Sequence, residues 1–535
     1  MLDLNDTAMK KVLLFLLSGL TVSLATNCVD TIDIDPYITD ESSFEQLSHE
    51  MIELGDKLDD PYSVENVTKA IASLYPTKAG RVDLKPTDIY ARFLPAGEEE
   101  MERLLDMGVE FLDHPMDYTI IRDGDYYHDP EVDQEEITWQ YCVLPNDFQF
   151  PKDIKYEILD YCYISENDPS TRAGGDIDWD RVEEEAFRLT GNADLYIPPT
   201  KGQKAKPAGR ITIVDEDANG GKPFGLPGVK VVCNSFVKIA TCYTDRDGYY
   251  QMSKNYSSRP RYRLLFKNKA GFAIGFNLVL IPASMSTLGK GPSTGLDVEI
   301  NKDSDKKLFQ RSVISAAAYE YITKCEEMGI KAPPKSLRIW IFRKLSASSA
   351  VMLKHGTLID NTIIGKYLGV FAALVKSFLP DITLGTKDDV TFADIYSETC
   401  HELAHASHFA KVGLKYWDNY AKYVLVSFVT KGFEAYGDGT GSHAGHCEVG
   451  EMWAYYMQNK MYHQRYGGAM PVAGSNFWFH PQIFTYLDER GLDQSKIFGA
   501  LGEDVTDITS LRKRLLSLYP EQSDVINQVF ERYAQ

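Results

Sequence analysis

No C-x-x-C pair occurs among the eight cysteines, which excludes the zinc sites built on that spacing. Beyond Leu24 no apolar run is long enough to cross a bilayer, a task that takes about 20 residues. Positive charge is the scarcer sign. Lys and Arg number 56 against 77 Asp and Glu, for a formal net charge of -21. Nucleic-acid binding rests on neutralising phosphates with Lys and Arg, so that partner class is excluded. The acidic residues are spread along the chain and describe a solvated surface. No internal repeat divides the sequence.

What is present describes an ordinary globular chain of 535 residues, 44% hydrophobic and 25% charged. That length is expected to split into several domains of about 100–200 residues. Met9-Lys10-Lys11 precedes an apolar run from Val12 to Leu24. A short positive region before a short apolar core has the form of a secretory signal, here residues 1–27. Ser23-Leu24-Ala25 suits cleavage at small residues. Cys28 suits lipidation as in bacterial lipoproteins, although Asn27 departs from the small residues usual before that cysteine. The expected location is therefore the bacterial cell envelope, as an outer-membrane lipoprotein, or the secreted fraction. Cys28 is the one expected link to a membrane. Without it seven cysteines are left, so at least one thiol stays free even where export permits disulfides.

Residues 28–60 are acidic and polar and read as a tether. Residues 61–165 are rich in aromatics and read as an α+β module, with a helix over Glu98–Leu112 and a strand over Ile137–Leu144. Its expected work is docking, covering a cleft or interaction. Residues 166–207 read as a linker with one helix, broken by Ala173-Gly174-Gly175 and Pro198-Pro199. Over 208–300 the apolar period becomes two. Short strands, such as Arg210 to Asp215 and Gly248 to Met252, predict a small antiparallel β-sandwich. Over 301–535 helices dominate. They are expected over Lys306–Ile330, Ile363–Phe378 and 388–413, and after 447, 479 and 505, with strands at Leu337–Phe342 and Ile382–Leu384.

The chemistry concentrates at His401-Glu402-Leu403-Ala404-His405. On a helix, residues four apart share one face, so both imidazoles can reach a single Zn²⁺. Glu402 lies beside them and can take a proton from a water that the metal acidifies to a pKa of about 7. A catalytic zinc needs a third protein ligand and an open position. Glu434, Glu448, Glu451, His443 and His446 are the candidates downstream. His408, one turn beyond His405, would close the site as a fourth ligand, or stands behind the ligands. Cys400 and Cys447 are either bridged or separately buried.

Gly450-Glu451-Met452-Trp453-Ala454-Tyr455-Tyr456 resembles the third-ligand helix of the gluzincin metallopeptidases. The H-E-x-x-H motif belongs to the same family pattern, while His408 and Lys411 depart from the metzincin one. The gluzincin resemblance covers roughly 305–535 and implies a mainly α, zincin-like catalytic domain with a small sheet over 301–535. It implies one zinc per chain on His401, His405 and Glu451, with Glu402 as general base and a peptide or protein as substrate. The helix carrying Glu451 is expected to begin near that residue, antiparallel to the histidine helix. Glu448 is the alternative ligand or a hydrogen-bond acceptor behind one. Tyr436, His443, His446, Tyr455 and Tyr456 are the candidate oxyanion stabilisers, and the strand at 382–384 would pair with substrate. The phrases "GRITIVDED", "LPGVKVV" and "TDRDGYY" resemble the carboxypeptidase regulatory-like, transthyretin-like domain, which implies a seven-stranded sandwich without catalysis. A second reading keeps the same modules but makes the chain a cell-surface binding protein with a structural or vestigial zinc site.

Overall fold

The computed structural model describes residues 51–77, 83–124, 126–132, 137–173, 177–197, 206–275, 283–343, 381–386, 390–430, 436–468 and 477–533. Cys28, the leader, Glu434 and the helix expected over 363–378 lie outside them. The architecture is mixed, with helices and several small sheets in distinct regions of the chain. No helix among the described residues is long and apolar enough to cross a membrane.

The first region holds β1 (Glu53–Lys57), α1 (Val64–Leu74), β2 (Asp88–Leu94), α2 (Glu98–Asp106), β3 (Phe111–Leu112), β4 (Tyr118–Arg122), β5 (Gln140–Pro145), β6 (Lys155–Cys162) and α3 (Trp179–Leu189). Four strands form an antiparallel sheet in the order β3-β5-β2-β6, and β1 pairs with β4. Ile89, Ala91 and Phe93 alternate along β2 and bury one face against Met101 and Leu104 of α2. Tyr90 faces the other way, toward Tyr141. The helix expected to reach Leu112 stops earlier, because Gly108 takes φ +83 and the chain re-enters the sheet at β3. Within the stretch read as a linker, α3 packs on α1, burying Val182 and Ala186 against Val67, Ala70 and Ile71.

Next come β7 (Ala208–Ile213), β8 (Phe224–Gly225), β9 (Lys230–Ser235), β10 (Lys238–Tyr243), β11 (Tyr249–Gln251), β12 (Arg261–Leu265), β13 (Lys267–Asn268), β14 (Phe272–Ile274), β15 (Met285–Lys290) and β16 (Val298–Ile300). One sheet runs β10-β9-β12-β15, all antiparallel. The other runs β11-β7-β16 with β8 alongside β7. Inward residues of both, such as Ile211, Ile213, Val231, Cys233 and Leu264, share one core. The expectation of a purely antiparallel sandwich fails at one pairing. β16 lies parallel to β7, because a long excursion through the rest of the sandwich returns the chain in the same direction.

The last region holds α4 (Lys306–Lys324), β17 (Leu337–Arg343), β18 (Ile382–Thr386), α5 (Phe392–Val412), α6 (Leu414–Thr430), α7 (Ala444–Tyr466), α8 (Gln482–Glu489), α9 (Gln494–Ala500), α10 (Ile508–Leu518) and α11 (Ser523–Glu531). A mixed sheet of order β13-β14-β17-β18 crosses residue 300, with β14, β17 and β18 parallel. Its end strand among the described residues is β18, the one expected at 382–384. The middle of α4 is buried on every side from Phe309 to Ala318, where a one-sided amphipathic helix was expected. It is enclosed because it runs between the sandwich side and α5. Sandwich and helices share one continuous core, from Ile211 to Phe530. Arg465 of α7 ties them, bonding Asp215 at 2.8 Å and Glu320 at 2.9 Å.

Candidate metal centre

A capping box starts α5, in which Thr391 Oγ1 accepts from the Asp394 backbone N–H at 3.1 Å. Gly413, at φ +84, ends it and turns the chain into α6. Between these ends α5 is buried by α4, α6 and α7. The helix carrying Glu451 begins at Ala444, ahead of the expected start near 451, because His443 takes a left-handed φ of +71 at its N-cap. Glu451 therefore sits two turns inside α7, held firmly. Ser397 meets Gln458, His401 meets both Gln458 and Glu451, and a Cβ on Gly450 would come within 3.9 Å of His408, so α5 and α7 run antiparallel.

Three ligand atoms converge between these helices. Nε2 of His401 and Nε2 of His405 are 3.2 Å apart. Oε2 of Glu451 lies 3.5 Å from the first and 3.4 Å from the second. His401 is 4% exposed, and His405 and Glu451 are fully buried. Burial pulls the His405 imidazole below its usual range. Burial pushes Glu451 up, but the His405 and His401 rings beside it hold its carboxyl well below the ordinary carboxylate range. Neutral imidazole and ionised carboxylate are the states in which both donate lone pairs to a metal. Oε2 of Glu451 has no hydrogen-bond partner within the protein. These three residues can hold one metal ion.

Comparison with family models, curated proteins and solved structures finds no match to this chain.

Glu402 stands next to His401 on α5, 1% exposed, and neither of its oxygens has a partner within the protein. Burial raises its pKa well above the ordinary value, and the charges of Glu451 and Glu398 raise it further. The ligands are braced from behind. Tyr420 of α6 donates to Oε1 of Glu451, which turns Oε2 toward the histidines. Gln458 Oε1 lies 3.0 Å from His401 Nδ1. The rings of Trp417 and Tyr420 each pack 5.6 Å from that of His405. None of Tyr420, Gln458 or Trp417 stood out in the sequence. The run Tyr416, Trp417, Tyr420, Tyr423 had helical spacing that marks a buried aromatic face, and Gln458 is two turns from Glu451 on the same face.

The remaining candidates divide. Glu448 turns away, and its Oε2 accepts from the Ile508 backbone N–H at 3.1 Å at the start of α10. Burial raises its pKa to about 6. It is outside the convergent group because it sits nearly a full turn from Glu451, on the side facing α10. His408 is fully buried against Tyr416 and Trp417, with its pKa pulled down to about 3 by burial, and it contributes no fourth ligand atom. His446 packs on Tyr416 at 4.6 Å, and His443 is exposed at the N-terminus of α7. Tyr456 donates to Asp488 at 2.8 Å and so faces α8. Tyr455 alone of the stabiliser candidates packs on a ligand ring, 4.5 Å from His401, and its hydroxyl pairs with that of Tyr436 at 3.2 Å. Cys400 and Cys447 are buried free thiols rather than a bridge.

Proposed function

We propose that this chain is a zinc metallopeptidase, with zinc held by His401, His405 and Glu451 and with Glu402 as general base. The observation that carries the reading is the ligand triangle beside an unpartnered carboxyl. Tetrahedral zinc with bonds of about 2.0–2.1 Å sets its ligand atoms about 3.3–3.4 Å apart. The three observed separations, 3.2, 3.4 and 3.5 Å, bracket that edge. Three protein ligands leave the fourth position for water or substrate, as catalytic sites do.

When bound, zinc supplies a Lewis acid that polarises a carbonyl and brings the pKa of water near 7. The chain's own residues do the rest. Glu402 takes the proton of the attacking water and passes it to the leaving amine. Beside a bound dication the Glu402 carboxyl would favour its basic form despite its burial. Tyr455 and Tyr436 can donate to a developing oxyanion. A peptide or protein is the substrate. The leader at 9–24 and Cys28 support export and anchoring at the bacterial envelope. The unpartnered Glu402 favours catalysis over a structural zinc, which needs no base.

The test is metal analysis of the purified chain together with cleavage of a peptide library. About one zinc per chain and chelator-sensitive cleavage are expected. A metal-free chain that takes up no added zinc, or a zinc-loaded chain that cuts nothing, would overturn the reading.

A further inference from the structure

We infer that Gln458 is the positioning residue of the metal centre: its amide oxygen fixes the His401 tautomer, and it does so without placing a charge behind that ligand. The inference rests on the zinc reading above but not on peptide hydrolysis.

Gln458 sits on α7 two turns beyond Glu451, so one helix supplies both a ligand and the brace of another ligand. Its Oε1 is 3.0 Å from Nδ1 of His401. Its Nε2 donates to Oγ of Ser397 at 2.9 Å, one turn before His401 on α5. The amide is therefore clamped across the two helices with its acceptor end aimed at the ring. An amide oxygen can only accept, so Nδ1 must carry the proton. Nε2 then keeps its lone pair, and Nε2 is the atom that faces His405 and Glu451. Without this contact the two tautomers compete, and only one of them binds metal through Nε2.

A carboxylate at the same place would impose the same tautomer but would also raise the basicity of the ring. Gln458 gives orientation without charge. Ser397 is 4% exposed and Gln458 is half-buried, so an added negative charge there would be poorly solvated and would feel a nearby dication strongly. A zinc ion would then be held less tightly than with a carboxylate behind His401.

Zinc affinity of the full-length chain, measured by competition with a chromophoric chelator, tests this with Gln458→Met and Gln458→Glu. Gln458→Met keeps the bulk and removes the acceptor, and should weaken zinc about 10–100-fold. Gln458→Glu should bind zinc more tightly than the wild type. A residue that only fills space would move both variants the same way, in step with their metal-free melting temperatures. Wild-type affinity in Gln458→Met, or weakened affinity in both variants, overturns the inference. A wild-type chain that takes up no zinc instead defeats the zinc reading itself. Ordered affinities without peptide cleavage would leave this inference standing and remove only the peptidase.

Discussion

The Tyr420 hydroxyl donates to Oε1 of Glu451 at 2.5 Å, so a helix with no metal ligand decides which oxygen of the carboxylate faces the histidines. Both residues are buried, and the His405 and His401 rings beside Glu451 favour its ionised form. Removing one partner of a buried, charge-assisted hydrogen bond costs about 1.5–3 kcal/mol. Tyr420→Phe should lose that much stability in denaturant unfolding of the metal-free chain. It should also bind zinc about 10–100-fold more weakly, because the second carboxylate oxygen is then free to swing. Unchanged zinc affinity would show that α7 alone orients Glu451.

The base and the ligands are separable. Glu402→Gln keeps the shape of the site and all three ligand atoms, so zinc content should stay near that of the wild type. Loss of a general base typically costs about 10²–10⁴ in rate, and peptide cleavage should fall by that factor. Cleavage that survives in Glu402→Gln would remove Glu402 from the mechanism.

The same variant has a pH signature without metal. The Glu402 carboxyl has its pKa raised well above 4.5, by burial first and then by Glu451 and Glu398. A carboxyl raised in the folded state stabilises the fold below its unfolded pKa. That contribution is lost as pH rises through the folded value. Metal-free wild type should therefore be less stable than metal-free Glu402→Gln at pH 8. The gap should shrink as pH falls toward 4.5. The depressed carboxyl of Glu451 acts in the opposite sense, losing its contribution on acidification, but it is common to both proteins. Urea midpoints across pH in chelator measure the difference, and a pH-independent gap would contradict the assignment.

How far the sequence disclosed this site follows from the range of the interactions. His401 and His405 are four residues apart, and helical geometry alone puts them on one face. Glu451 needed the resemblance of the segment 450–456, since the residues alone left Glu434, Glu448, His443 and His446 open beside it. Tyr420 and Gln458 were out of reach, because which side chain backs a ligand depends on how helices distant in sequence pack. The fold divides the same way. Strand β7 shows period-two alternation, and β9, β10 and β11 are short apolar stretches set off by Gly, Pro and Asp, so all four were readable. The parallel pairing of β16 with β7 and the sheet joining β14 to β17 are long-range pairings that alternation does not encode. Gly108 was visible as a residue, but its role as the end of α2 depends on the strand that follows.

Glu448 and Glu451 give a direct contrast. Glu451→Ala removes a ligand and should reduce zinc affinity by far more than any change behind the ligands. Glu448→Ala should leave zinc bound and cost about 1 kcal/mol, as expected for losing a side-chain acceptor at the first turn of a helix. Zinc lost in Glu448→Ala and kept in Glu451→Ala would reverse the assignment.

The junction of sandwich and helices should depend on Arg465. Its guanidinium bonds Asp215 and Glu320, and Tyr466 donates to the same Asp215 oxygen at 2.9 Å. It also lies about 5 Å from the rings of Phe224, Phe392 and Tyr396, the last two at the start of the histidine helix. The Asp215 side chain is 1% exposed and that of Arg465 15%, so water cannot replace the pair. Breaking a buried ion pair by removing one partner costs about 3–5 kcal/mol, because the other charge is left uncompensated. Arg465→Met should therefore lose about that much in urea unfolding. Arg465→Lys should recover only part, since an ammonium cannot span both carboxylates and stack on the rings. Because Phe392 and Tyr396 lean on the same guanidinium, the loss should also loosen the first turns of α5, read as faster amide exchange there than at His405. Uniform exchange along α5 in Arg465→Met would mean that the junction supports the sandwich without steadying the histidine helix.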